Sequence, residues 1–287
     1  MARGLDHLVL ANSDLAGLAD LHRRLGFRLG AENRHPWGTL NHIVQMPGTF
    51  LELISTEPGF QRPADTEPVA QFAGFLSDYL ARRNGFAMLV LESPDAAADQ
   101  ARLAGHGIAG PSTFRFERTA KRPDGTPVHV AFTLAFARSA GMTDAGFFLC
   151  QQHYPENFWN PAFQVHPNTV TGVAAVTFVT GVLARDVRMM ERYAGAATVT
   201  RPDGVAAIDT GRGIIEIATR AQAEALYGAE ALPSGQAGPH WAGVRFKTAD
   251  PMQAAAHLRS SAVSTIAIGR RLVVPATHAH GTAIAFE

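Results

Sequence analysis

The sequence predicts an α+β fold of four βαβββ modules, paired into two domains that each carry a curved mixed sheet. Three observations carry this. One strand–helix–strands order recurs four times, opening on Leu5–Ala11 (LDHLVLA), Phe86–Glu92 (FAMLVLE), Val173–Val179 (VAAVTFV) and Trp241–Lys247 (WAGVRFK). These openings lie about 70 to 90 residues apart, too far for a solenoid repeat and right for a small βαβββ unit. After each helix come consecutive strand-like runs, which argue against the strict strand–helix alternation of a doubly wound parallel sheet. A Pro/Asn-rich stretch from Tyr154-Pro155 to Pro167-Asn168 then divides the repeats two and two. The expected organisation is an N-terminal domain over 1–154, a linker over 155–169 and a C-terminal domain over 170–287.

The elements follow in order. In the first helix Asn12, Ser13 or Asp14 can cap the N-terminus, Leu15, Leu18, His22 and Leu25 share one face, and Gly26 supplies the stop. Strand-like runs Phe27–Ala31, Leu40–Gln45 and Phe50–Ile54 come next, the last two joined by a Pro47-Gly48 turn. The second helix opens at Ser93-Pro94-Asp95 and ends near Gly105 or Gly107; Thr113–Lys121, Val128–Ala137 and Gly146–Gln151 read as its strands. A third helix spans roughly Leu183–Ala194, after which a turn at Arg201-Pro202-Asp203-Gly204 leads into Val205–Asp209 and Ile214–Ala218. The fourth module opens its helix at Asp250-Pro251 and closes with Arg271–Val274 and Thr282–Phe286.

At 287 residues, two domains are the default. Apolar residues at 46% against 17% charged suffice for packed cores and argue against long disorder. Basic and acidic residues balance at 25 each, without the excess that a duplex nucleic-acid or anionic-membrane binder carries, so a small-molecule ligand is the expected partner. Cys150 is the single cysteine, which precludes an intramolecular disulfide and fits a reducing, cytoplasmic setting. No basic, apolar leader opens the sequence, and no apolar run is long enough to span a bilayer. Four modules suffice to pair within one chain, so the expectation is a monomer or a homodimer.

His7 and Glu52 mark the candidate site. Each lies inside an apolar strand, where an imidazole or a carboxylate needs a partner, whether the other residue, water or a divalent ion. His42 shares a strand face with Leu40 and Val44; it either lines the same concavity or is a satisfied core histidine, with Asn41 facing the other way. His35, between Arg34 and Pro36, sits in a loop placed to cover the cavity mouth. Arg115 and His129, on middle strands of the second module, could present a cation to an anionic substrate, or lie on the surface.

A paired βαβββ chain opening on LDHLVL resembles the vicinal oxygen chelate superfamily, which includes glyoxalase I and the extradiol dioxygenases. More narrowly, Arg34-His35-Pro36-Trp37-Gly38-Thr39-Leu40-Asn41 followed by Phe50-Leu51-Glu52-Leu53-Ile54 resembles its glyoxalase-like family. So does Phe147-Phe148-Leu149-Cys150-Gln151-Gln152-His153, running into Pro155-Glu156 and His166-Pro167-Asn168. The resemblance implies glyoxalase-like domains and metal ligands from the first and last strands of two facing modules. His7 and Glu52 occupy those positions in the first module; Met88 and Cys150 occupy them in the second, with His153 as the replacement ligand. Met is a poor ligand for a hard ion and Cys favours a softer one. The C-terminal half repeats Glu52 as Glu216 but has Ala175 where His7 stands, so an iron site there is not expected.

The resulting expectation is a lyase- or isomerase-like enzyme acting on a small carbonyl-bearing or oxygen-rich molecule. One divalent metal (Zn, Fe, Mn, Ni or Mg) on His7, Glu52 and His153 would polarise the carbonyl, or Glu52 would act as general base. The alternative is a non-catalytic binding or resistance protein of the same fold, which fits the Phe-rich strands.

Overall fold

The computed structural model describes residues 2–121 and 125–287. The first module consists of β1 (Leu5–Ala11), α1 (Leu15–Arg24), β2 (Asn33–Arg34), β3 (Thr39–Met46) and β4 (Thr49–Thr56). A 3-10 turn (Pro68–Gln71) and α2 (Ala73–Leu80) lead to the second, β5 (Gly85–Glu92), α3 (Ala96–Gly105), β6 (Ala109–Lys121), β7 (Pro127–Ala137) and β8 (Gly146–Gln152). After α4 (Pro155–Phe158) and a 3-10 turn (Pro161–Phe163) come β9 (Val170–Val179), α5 (Leu183–Ala194), β10 (Val199–Thr200), β11 (Ala206–Asp209) and β12 (Ile214–Ala218). Then follow α6 (Arg220–Tyr227) and the fourth module: β13 (His240–Thr248), α7 (Pro251–Ser260), β14 (Ile266–Ile268), β15 (Arg271–Val274) and β16 (Ala283–Phe286).

Two eight-stranded mixed sheets result, ordered β2-β3-β4-β1-β5-β8-β7-β6 and β10-β11-β12-β9-β13-β16-β15-β14. Within each module the crossover helix makes the first and last strands parallel, as in β1 with β4 and β5 with β8. Modules meet along an antiparallel seam, β1 with β5 and β9 with β13. Helix ends follow local chemistry: Asp14 accepts from Gly17 N, Asp95 from Ala97 N and Ala98 N, and Gly195 closes α5 at φ +70°.

Three local expectations change. Phe27–Ala31 is not a strand; pairing with β3 begins only at Asn33, and Gly30 N reaches the carbonyl of Ile43 instead. The helices α2 and α6 interpose before the second and fourth modules. The stretch expected as linker is built as α4 and a 3-10 turn, pinned to β3 by Gln45, whose Nε2 donates to the carbonyl of Phe158 (2.8 Å) and whose Oε1 accepts from Asn160 N (2.9 Å).

Alternation along the strands gives the first sheet two apolar faces. Leu8, Leu10, Leu51, Leu53, Phe147 and Leu149 join the core shared with the second sheet, where Trp241 packs on Phe86, Phe147 and Phe178. Tyr193 of α5 enters this core, with its hydroxyl 2.8 and 2.9 Å from the carbonyls of Leu89 and Phe148. Val9, Ile54, Val90, Phe132, Phe136, Phe148 and Cys150 form the opposite face, covered by Phe72, Leu76 and Tyr79 on and beside α2. The candidate site lies on this second face.

Candidate functional site

A cavity of about 50 Å³ lies where the first sheet curls, walled on one side by β1, β3 and β4 and on the other by β6, β7 and β8. Its polar groups are His7, His35, Asn41, Glu52, Arg118 and Cys150; the rest of the wall is almost entirely aromatic. The roof is Phe158 of α4, which packs on Phe50 (4.9 Å between centroids) and Phe132 (6.0 Å) and so bridges the two walls. Gly38, at φ +85°, closes the His35–Thr39 turn and carries Trp37 over the cavity, where the indole meets Phe72, Phe114 and Phe116 edge-on.

Glu52 is 6% exposed. Asn41 Nδ2 donates to its Oε1 (2.6 Å), and Asn41 Oδ1 in turn accepts from Asn33 Nδ2 (3.1 Å). The other oxygen, Oε2, lies 3.9 Å from His7 Nε2, too far for a hydrogen bond. Burial pushes the Glu52 carboxyl above the ordinary range, and His7, Asn41 and Arg118 only partly offset this. His7 is oriented from behind: its Nδ1 donates to Asp6 Oδ1 (2.5 Å), Gln152 Nε2 holds Asp6 Oδ2 (2.8 Å), and the ring stacks on Phe50 (4.3 Å). With the proton on Nδ1, Nε2 faces Glu52. Both groups are therefore positioned but not spent on each other.

His35 is buried, bonded through Nδ1 to Thr39 Oγ1 (2.8 Å) and stacked on Trp37 (4.6 Å). Burial, reinforced by the charge of Arg118, lowers it to about 3, so it is neutral at physiological pH. Arg118 is thus the fixed cation of the cavity. Desolvation lowers it and Glu52 raises it, and its Nε has no partner among the described residues.

His42 lies on the far face of β3, with Nδ1 on the carbonyl of Gly30 (2.9 Å), and it is Asn41 that faces the cavity. The expected alternation along β3 holds, but with the faces exchanged. A sheet covered on both sides has no polar face, so Leu40 and Val44 beside His42 did not mark the site. Arg115 and His129 point outward to Glu117 (3.2 and 3.6 Å), on the side of β6 and β7 opposite the cavity. His153 joins them there, 2.8 Å from Thr133 Oγ1 and 3.1 Å from Arg115 Nη1. The sequence did not mark Arg118 or Phe158, and its strand parity turned Asn41 to the wrong face. The signal for Arg118 was parity, since Phe114, Phe116 and Arg118 alternate on one face of β6.

The donors do not fit a three-ligand metal site. Among the described residues no three His, Cys, Asp or Glu side chains converge closely enough to hold an ion. His153 lies outside the cavity, Met88 is buried in apolar surroundings, and burial pushes the Cys150 thiol well up, keeping it protonated. Arg118 adds a positive charge where a second cation would be opposed.

Fold and cavity together define a paired-βαβββ protein with a side-chain-lined pocket on one face of a curled mixed sheet. A family model described as a glyoxalase-like domain matches residues 5–194, and the chain belongs to that family, within the vicinal oxygen chelate superfamily. No curated protein matches its sequence. Among solved structures, a hypothetical protein from Staphylococcus aureus is similar, with 14% identity, a TM-score of 0.64, and 99% of this chain and 98% of that one covered. A mutant 4-hydroxymandelate synthase from Streptomyces coelicolor gives 11% identity and a TM-score of 0.62 over 99% and 92%. A fusion of a xylose isomerase-like TIM barrel with 4-hydroxyphenylpyruvate dioxygenase gives 15% and 0.55, covering 93% of this chain and 39% of that one. At these identities the likeness is one of fold. No helix among the described residues is long and apolar enough to cross a membrane.

Proposed function

We propose that the cavity is the active site of an isomerase- or lyase-type enzyme that moves a proton on a small carbonyl-bearing molecule, with Glu52 as the general base and acid. The observation that carries this is the state of Glu52: buried, raised above the ordinary carboxyl range, fixed at one oxygen by Asn41 and free at the other. A carboxylate whose pKa burial raises is a stronger base than an ordinary one, which suits removal of a proton from carbon next to a carbonyl. Returning that proton to the neighbouring carbon, while the hydroxyl proton passes to the former carbonyl oxygen, completes an isomerisation without any redox partner. His7 Nε2, held by the Asp6–Nδ1 contact, accepts a hydrogen bond from a substrate hydroxyl, and the aromatic walls exclude water.

The test is incorporation of solvent deuterium into a panel of small hydroxy- and oxo-compounds, followed by NMR. Exchange catalysed by the wild type and lost in Glu52→Gln supports the reading; exchange that survives in Glu52→Gln refutes it. The aromatic lining favours a second reading, a binding protein that returns its ligand unchanged. Under that reading His7→Ala alters affinity and no exchange occurs in either protein.

A further inference from the structure

Two donors in the cavity wall lack acceptors. Among the described residues, Arg118 Nε and the Trp37 indole Nε1 are shielded from solvent and bonded to nothing, although both side chains line the cavity. Folded proteins seldom leave such groups unpaired without a ligand or water to meet them. Arg118 also stands at a threshold: with Ile43 and Phe158 it lines an outer groove of about 620 Å³ that runs beside Gln45 and the 156–163 segment. His35 is neutral and His7 Nδ1 is committed to the Asp6 carboxylate, so Arg118 is the cationic side chain with a donor left to meet an anion. One guanidinium at the threshold can pair one carboxylate; a dianion would add a second, unpaired charge beside Glu52.

We propose that Arg118 recognises a carboxylate, and that the ligand is a compact aromatic or branched aliphatic monocarboxylate. Its acid group pairs with Arg118 at the threshold while its body lies among Phe72, Phe116, Phe132 and Phe148. The cavity has room for roughly three to five waters by the measure of one probe sphere each, which matches a ring rather than a long chain. This deepens the proton-transfer reading, on which it rests for the identity of the site, by naming the class of substrate.

The test pairs acids with their amides (benzoate with benzamide, phenylacetate with phenylacetamide, 3-methylbutanoate with its amide) and reads binding by calorimetry and by the fluorescence of Trp37 and Trp159. The wild type is expected to bind an acid at least about tenfold more tightly than its amide, as a charge-assisted pair in a desolvated site requires. Arg118→Met removes that preference while leaving amide binding in place, Arg118→Lys restores part of it, and Arg115→Met leaves it intact. Equal binding of acids and amides, failure of every acid to bind, or equal weakening of both by Arg118→Met overturns the proposal. Glu52→Gln separates the two ideas: it abolishes exchange yet keeps the acid preference. A preference that depends on Arg118 without any exchange sinks the proton-transfer reading alone.

Discussion

Glu52 and Glu216 stand at the same place in the two sheets and have opposite surroundings. Each lies on the last strand of an odd-numbered module, in parallel register with the opening strand, Glu52 beside Val9 and Glu216 beside Thr177. Glu216 is fully buried and saturated. Arg245 grips both its oxygens (2.7 and 2.8 Å), Thr177 donates to one (2.7 Å), and Arg201 contacts the other. Although burial works against its charge, Arg245 is held above its ordinary value by Glu216. Glu52 has one neutral donor and an open side. Where His7 faces Glu52 in the first sheet, Ala175 stands in the second. One carboxylate is saturated by its ion pairs and hydrogen bonds; the other keeps one oxygen without a hydrogen bond.

The comparison can be broken at several points. Glu52→Gln should cost roughly 10²–10⁴-fold in proton exchange with the fold intact by circular dichroism, as expected for removal of a general base. Arg245→Met should leave exchange unchanged and cost up to about 3–5 kcal/mol in urea unfolding, because buried Glu216 loses its two-pronged partner and keeps only Arg201. If instead the second sheet tolerates that change, Glu216 does not anchor it.

A subtler contrast is pH. The Glu52 carboxyl is raised in the folded state, so its contribution to stability is fully present below the ordinary carboxyl pKa and is lost as pH rises through the higher folded value. Glu52→Gln should therefore lose less stability than wild type as pH rises from acid toward neutral, measured as the difference between the two unfolding curves. Least of all, Arg115→Met and His129→Ala should fall within about 0.5 kcal/mol of wild type and leave exchange untouched, as outward-facing side chains do.

Strand and helix identity was legible where local chemistry and burial agree. The helix predicted over Leu183–Ala194 and the strand over Ile214–Ala218 fall at those bounds because Gly195 and the Gly213 turn stop the backbone unambiguously. The helix at Ala73–Leu80 was not legible: it has no side-chain N-cap, and it forms because it covers the second face of the sheet. His7 and Glu52 stood out as polar residues in apolar strands. Arg118 did not, since a charge on a long alternating strand reads as solvated until the Phe residues on its own face are seen to wall a cavity. Asn41 and His42 were exchanged for the converse reason, a sheet with no polar side to orient the pattern. Metal ligation by His153 depended on a turn direction that no local signal encodes.

The roof at Phe158 has a kinetic consequence. The sheet walls of the cavity are continuous strand ladders, whereas the roof is a four-residue helix held by side chains: Gln45 and the His166 ring on the Gln45 carbonyl (2.8 Å) tie it to β3, and Asn157 on the carbonyl of His129 (2.9 Å) ties it to β7. A segment held by a few side-chain bonds opens at lower free energy than the sheet beneath it. For a ligand that enters beneath the roof, as the proposed function requires, the frequency of that opening sets the traffic, and residence time and affinity become separable quantities. Gln45→Ala should speed ligand entry and exit together in stopped-flow fluorescence while shifting the equilibrium constant far less than either rate.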